Sequence, residues 1–453
     1  MEDLHYGSDD CICALATPWG KGAIGLIRIS GINAIEQLAP LFSRREELHN
    51  APGHTLVHGS IKDPANGNRL DEVMIAVYRG PRSYTGQDTA EIMCHGSLPG
   101  IRSILDLLRK NGFRDAGPGE FTMRAFLNGK MDLTRAEAVN ELIGAKTKSS
   151  HRLAFERLKG SIFHTIEGIK QDLVSVSAEV ELQLDYPEDE IDFDTAGTSL
   201  PIKGIMDRII ALLTSYNTGK LYRDGMRVTL AGPTNAGKSS LFNLFVKEDR
   251  ALVSETHGTT RDYLTELLTL RGIPVTLVDT AGLRESDDTV EAKGIERSRA
   301  FIAKSDVVLF VWDSTAPLDT EAYRAWVADA AHVVGVWNKT DLDGHTCPEG
   351  FVPVSAETGA GFAELEEAII ECIEADTAGL ETGAVIDSDR QKALLEEAYE
   401  ALEQTLAGFN ANIALDAIAV DIQEALRALG EITGEISSND ILQRMFGSFC
   451  VGK

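Results

Sequence analysis

The chain has 453 residues, 43% hydrophobic and 25% charged, which describes a globular protein and excludes a disordered or fibrous one. Its net charge of −27 argues against a broad nucleic-acid surface, which needs local positive potential. No run approaches the ~20 apolar residues that span a membrane. The acidic start Met1-Glu2-Asp3-Leu4-His5 lacks a secretion pattern. No membrane span and a cytoplasmic location are therefore expected, and six scattered cysteines without C-x-x-C spacing suit a reducing compartment.

This length predicts two to four domains. Residues 1–120 read as mixed α/β, with strands over 12–16 and 23–29 and a hairpin of 56–61 with 73–78 around Asn66-Gly67. A helix is predicted over 99–110, with Ile101, Ile104, Leu105 and Leu108 on one face. Gly20, Gly22 and Gly25 fit G-x-G-x-x-G, but a strand-like run follows where a dinucleotide site needs a helix. Residues 121–222 read as helices. Ile162, Ile166, Ile169, Leu173, Val176 and Val180 make one apolar stripe. Tyr186-Pro187 ends that helix, 188–194 is an acidic loop, and 202–213 starts another helix.

Residues 223–378 alternate strand and helix patterns, as a parallel-sheet domain does. After a Thr/Gly/Ala-rich link, 379–453 is helical again. Leu394, Ala398, Leu402 and Leu406 mark one helix, Ile418, Ile422, Leu426 and Leu429 another, and 438–440 caps a short last one. Helices on both sides of 223–378 imply that this segment is inserted into one discontinuous helical domain. Most of the negative charge falls after residue 220, which makes the inserted segment the least suited surface for RNA.

The chemistry centres on Gly232-Pro233-Thr234-Asn235-Ala236-Gly237-Lys238-Ser239-Ser240. It fits Gly, four residues, Gly-Lys-Ser, between a strand (226–231) and a helix start. Glycines permit close approach of backbone N–H groups to phosphate. Lys238 would reach the outer phosphates and the Ser239 hydroxyl would sit on magnesium. Asp279-Thr280-Ala281-Gly282 follows a second apolar run and carries an Asp to the magnesium shell. Asn338-Lys339-Thr340-Asp341 follows a third. Its Asp can accept from the ring N–H and the exocyclic amine of guanine, donors that adenine lacks together. Ser355-Ala356 follows a fourth and backs the base. Strands each delivering such an element, in this order, resemble the GTPase branch of the P-loop proteins, with a Ras-like doubly wound sheet.

Leu283 stands where many GTPases carry a water-orienting glutamine, so hydrolysis must use another residue. The carboxylate-rich stretch 283–291 reads as a solvated loop and as a nucleotide-gated switch. A second candidate switch runs through Ser254, Glu255, Thr256, His257, Gly258, Thr259 and Thr260. Thr260 is the choice for closing over magnesium. Asn235 with the main-chain carbonyls of Ser254 and Thr256 can form an oxygen cage for a monovalent cation, and is equally read as a turn residue.

Several stretches carry a wider resemblance: ATPWGKGAIGLIRISG (16–31), SYTGQDTAEIMCHG (83–96), GEFTMRAFLNGKMDLTRAEAV (119–139), HGTTRD (257–262), VDTAGLRESDDTVEAKGIERS (278–298) and the final FCVGK (449–453). With them, essentially the whole chain resembles the MnmE/TrmE family of tRNA-modification GTPases. The resemblance implies an α/β N-terminal domain (1–120) similar to folate-binding domains that also dimerises. It further implies a discontinuous helical domain (121–222 and 379–453) and an inserted P-loop GTPase domain (223–378). The implied activity is potassium-dependent GTP hydrolysis by a homodimer with Mg2+. Together with a flavin-containing partner protein, the enzyme would modify carbon 5 of the wobble uridine of certain tRNAs, drawing on 5-formyltetrahydrofolate or another tetrahydrofolate derivative.

Residue by residue, the resemblance gives Asn235, Ser254, Thr256 and Thr259 to potassium, and Ser239 and Thr260 to magnesium. It makes Glu291 the catalytic carboxylate, Arg28, Glu91, Lys130 and Lys453 the folate ligands, and Cys450 the thiol needed for modification. Gln87 departs from the pattern, standing where an acidic residue is common. Read alone, Arg28 and Lys130 suit the carboxylates of a folate tail, Glu91 suits its pterin edge, and Cys450 is a small buried residue near the chain end. The competing function is a GTP-controlled RNA- or ribosome-binding switch with no modification role.

Overall fold

The computed structural model describes residues 10–185, 195–248, 264–279, 302–374, 384–411, 413–436 and 439–453. Two compact units emerge: Met1–Asn140 with Leu158–Ile166 and Leu429–Lys453, and Glu141–Arg157 with Glu167–Ala428.

The first unit is built on a six-stranded sheet of order β3-β4-β5-β2-β1-β6. Its strands are β1 (Ile12–Leu15), β2 (Ile24–Gly31), β3 (Thr55–Lys62), β4 (Arg69–Tyr78), β5 (Asp88–His95) and β6 (Arg114–Asp115). All pairings are antiparallel except β1 with β6. The run after Gly25 is strand β2, which excludes the dinucleotide reading of the three glycines. The hairpin of β3 and β4 is longer than its apolar run predicts.

Strand β5, for which the sequence pattern gives no element, lies between β2 and β4. Its signal is the period-two burial of Ala90, Ile92 and Cys94. Helix Leu98–Lys110 buries Ile101, Ile104, Leu105, Leu107 and Leu108, and Ser97 caps it by accepting from the Gly100 N–H. Helices Glu120–Leu127 and Leu133–Gly144 receive the last helix, Asn439–Phe446, through a core of Met123, Leu133, Ala136, Leu442, Phe446 and Phe449.

The second unit holds a sheet of order β12-β11-β10-β7-β9-β8. Its strands are β7 (Met226–Ala231), β8 (Leu264–Leu270), β9 (Ile273–Asp279), β10 (Val307–Asp313), β11 (Val333–Asn338) and β12 (Phe351–Pro353). All are parallel except the edge strand β8. Near-continuous apolar runs make β7, β9 and β10 strands that are buried on both faces. Helices Lys238–Glu248, Thr320–Val327 and Phe362–Glu374 follow β7, β10 and β12. The winding reverses at β7, so a crevice opens at the carboxyl ends of β7 and β10.

In helix Ser161–Asp185 every residue of the predicted stripe is buried. The following helix, Thr195–Asp224, starts earlier than its apolar spacing suggests and holds Pro201 inside. Helix Asp389–Asn410 buries Leu394, Ala398 and Leu402 but only half-buries Leu406. Helix Leu415–Thr433 buries Ile418, Ile422 and Leu429 and half-buries Leu426, while Ala425 and Ala428 take up its inner face.

Candidate nucleotide and folate sites

The carboxyl ends of the parallel strands assemble one site. After β7 the loop enters helix Lys238–Glu248, so its N–H groups face the crevice at the positive end of a helix. Lys238 is buried, and its ammonium donates to the carbonyls of Gly232 and Pro233 at 2.8 and 2.6 Å. Asn235 stands exposed with φ +60°, which accounts for its use as a turn residue. The Ser239 hydroxyl donates to the Asp279 carboxylate at 3.0 Å, and Asp279 is 1% exposed at the end of β9. A hydroxyl and a carboxylate at this separation form an oxygen donor pair that fits a hard cation such as Mg2+. Ala236 is buried within the loop and Ser240 is exposed on the helix.

The guanine side is tied to the phosphate side by one residue. Asn338, 1% exposed at the end of β11, donates through Nδ2 to the Ala236 carbonyl at 2.9 Å and accepts from the Ala356 N–H at 3.1 Å. Gly237 lies directly over that amide: a Cβ there would stand 2.1 Å from Asn338 Nδ2, and its φ is +93°. Asp341 accepts from the Ser355 hydroxyl at 2.6 Å, so Asn338, Asp341, Ser355 and Ala356 form one group. Lys339 donates to the Asp313 carboxylate at 2.6 Å. Sequence reading missed Asp313; its signal is its place at the end of a buried strand, like Asp279.

In the first unit, Arg28 on β2 and Glu91 on β5 are register partners. The guanidinium donates to Glu91 Oε1 at 3.0 and 2.8 Å and to the Gly452 carbonyl at 3.1 Å. It lies 5.9 Å from the Tyr84 ring centroid and 5.8 Å from that of Phe121. The Phe121 N–H donates to the Lys453 main-chain oxygen at 3.1 Å, and Val451 bridges to Pro118. The tail thus runs along the start of helix Glu120–Leu127. Burial, and then the positive charge of Arg28, push the Lys453 ammonium below the ordinary lysine pKa. Arg28, Glu91 and Lys453 are brought together, with Arg28 and Glu91 paired to each other.

Lys130 departs from the other three in its contacts. Its ammonium is solvent-facing and donates to the Pro81 carbonyl at 2.9 Å, because Asn128 and Lys130 pack over the loop at Gly86. Cys450 also departs from the buried reading: it is exposed, since Phe449 and Gly452 on either side are the buried anchors. Gln87 accepts through Oε1 from Arg124 at 3.1 Å, where a carboxylate oxygen would accept the same bond. Ser254, Glu255, Thr256, His257, Gly258, Thr259, Thr260, Thr280, Ala281, Gly282 and Glu291 lie outside the described residues.

Residues 11–130 match the family model of the GTP-binding protein TrmE N-terminus, and residues 133–450 that of the MnmE helical domain. The tRNA modification GTPase MnmE of Carboxydothermus hydrogenoformans is 40% identical, over 98% of this chain and 100% of the relative. That of Borrelia recurrentis is 42% identical over the whole of both chains. The chain belongs to the MnmE family of tRNA modification GTPases. As a member of the MnmE family it is a GTP hydrolase. Among solved structures, the G domain of the T. maritima FeoB iron transporter is 26% identical, covering 32% of this MnmE-family chain and 97% of its own, at a TM-score of 0.25. Among the described residues no helix is long and apolar enough to cross a membrane.

Proposed function

We propose that this chain is a cytoplasmic, potassium-dependent GTPase that acts as a homodimer with a flavin-containing partner. It modifies carbon 5 of the wobble uridine of certain tRNAs with an aminomethyl or carboxymethylaminomethyl group, drawing on a tetrahydrofolate one-carbon unit. The observation that carries the GTPase half is Asn338, whose amide joins the phosphate loop at Ala236 to the base-backing loop at Ala356. The tRNA half is supported by the name shared by relatives about 40% identical along the whole chain.

Incoming GTP would seat its phosphates on the N–H groups of 235–240. Lys238 would exchange the carbonyls of Gly232 and Pro233 for the outer phosphates, which keeps that charge buried and paired throughout. Ser239 and Asp279 would hold Mg2+, which neutralises developing charge on the phosphates. Asp341 would accept from the guanine N–H and amine, with Ser355 holding its carboxylate in place. Asn235, Ser254, Thr256 and Thr259 are proposed for potassium, Thr260 for closing over Mg2+, and Glu291 for orienting the attacking water, a task that Leu283 leaves open.

Arg28, Glu91 and Lys453 are proposed to bind the folate. For Arg28 to take an anionic group it must share or release its bonds to Glu91 and Gly452. Lys130 would join only by swinging away from Pro81. The charge of −27 makes a broad electrostatic hold on tRNA unfavourable, which suits an enzyme that shares its RNA contacts with a partner.

Nucleoside mass analysis of tRNA from a deletion strain, with phosphate release measured in potassium and in sodium, tests the proposal. Loss of the wobble-uridine modification and turnover in potassium alone are expected. Unchanged nucleosides, or equal rates in both salts, would refute the corresponding half.

A further inference from the structure

The parallel strands of the second unit end on one rim. The ends of β7, β9, β11 and β12 lead into the phosphate loop, Asp279, Asn338 and Ser355. Strand β10 ends on Asp313, a carboxylate that carries no phosphate- or base-contacting role of its own. Asp313 is the register partner of Asn338. Its Oδ1 accepts from the Thr315 N–H at 2.9 Å and the Thr315 hydroxyl at 2.7 Å, which fixes the carboxylate. Its Oδ2 accepts from Lys339 at 2.6 Å.

The adjoining Ser314 donates its hydroxyl to the Lys339 carbonyl at 2.9 Å and its N–H to the Asn338 carbonyl at 2.9 Å. Lys339 is held at φ +66°, a left-handed conformation that a Cβ disfavours. Burial alone would raise the Asp313 pKa, but the Lys339 bond and those of Thr315 outweigh it and keep the carboxyl ionised. Asp313 is not needed as a helix cap, because Asp319 caps helix Thr320–Val327.

We infer that Asp313 is a positioning residue for guanine recognition. It pins Lys339, and through it holds Asn338 and Asp341 in the conformation where they meet Ala236, Ala356 and Ser355. The inference rests on reading Asn338-Lys339-Thr340-Asp341 as the guanine site and adds the residue that shapes it. Asp313 itself touches no base.

Asp313→Asn keeps the Oδ1 acceptor for Thr315 and removes the charge facing Lys339; Asp313→Glu restores the charge. Affinities for GTP and for inosine triphosphate, which lacks the amine that Asp341 reads, are measured with kcat at saturating GTP and thermal melting. In the Asn variant GTP affinity falls about tenfold, as loss of one charge-assisted bond implies. The preference for GTP over inosine triphosphate falls about threefold, while kcat changes less than about twofold. Glu recovers most of the loss.

Equal loss for both nucleotides, unchanged GTP affinity, or a Glu variant no better than Asn overturns the inference. A wild-type protein with no preference between the two nucleotides overturns the guanine reading and this inference together. Should the Asn variant not fold, Thr315→Val, which frees the carboxylate from its orienting hydroxyl, carries the same prediction at about two- to threefold. Wild-type affinity in that variant overturns it.

Discussion

Gly237 has φ +93° and no room for a Cβ, which would stand 2.1 Å from Asn338 Nδ2. Gly237→Ala would therefore push away the residue that joins phosphate loop to guanine loop. We expect a folded protein with GTP affinity lowered at least about 100-fold, read by fluorescent-nucleotide titration. Lys453 gives a pH signature at the other site. Its lowered pKa, caused by burial and then by Arg28, means that the unfolded chain holds this proton more tightly than the folded one. Stability from this group therefore rises with pH through the window that ends at the ordinary lysine value of 10.5. A bound anion reverses the shift by favouring the ammonium. Affinity for 5-formyltetrahydrofolate should thus fall as pH rises through a midpoint below 10.5, and Lys453→Met should flatten that step in a binding titration.

At the scale of elements, buried charges and one glycine hold segments that sequence separates widely. Arg157, on helix Lys148–Leu158, pairs with Glu141 at 2.6 Å and with Asp387, which is fully buried. It also donates to the Val385 carbonyl at 2.8 Å. These bonds strap 385–387 onto the helices of the second unit, and Ser215 adds its hydroxyl to the Ile386 N–H. Arg157→Ala removes the guanidinium that two carboxylates share. A loss of about 3–5 kcal/mol in denaturant unfolding is expected, with the strand-end nucleotide residues untouched. In the first unit, Gly452 has φ +95°, and a Cβ there would lie 2.7 Å from the Leu15 carbonyl. Gly452→Ala should unseat the tail from Arg28. Folate affinity should drop about tenfold or more while GTP turnover stays near wild type; a variant that loses both would contradict this division.

For the whole molecule, the residues proposed for folate and those proposed for the nucleotide fall in different compact units. Cys450 is exposed beside the Arg28 cluster in the first unit, whereas every described nucleotide residue is in the second. Cys450→Ser should therefore abolish wobble-uridine modification in cells and leave potassium-stimulated GTP hydrolysis within about twofold of wild type. Phosphate release and nucleoside mass analysis on the same variant check both halves. A variant that still modifies tRNA removes the thiol from the chemistry.

Local stretches of the chain encode the elements that depend on local composition. Phosphate and guanine need loops of fixed composition directly after buried strands, and β7, β9, β11 and β12 read as apolar runs followed by those loops. The stripe of Ser161–Asp185 was legible for the same reason, since a period of three to four residues fixes a buried helical face. Strand β5 was obscured because its period-two signal is short and lies within a polar stretch. Which segments meet follows from packing across the fold. Periodicity says that a face is buried, not which segment covers it. The bond from Arg28 to Gly452 joins residues 424 apart, a contact that exists only because the last helix docks on Met123 and Leu133. Asp313 faces Lys339 because the sheet sets β10 against β11 in that register. Cys450 is exposed because the tail turns its neighbours inward, an outcome of packing that no local pattern encodes.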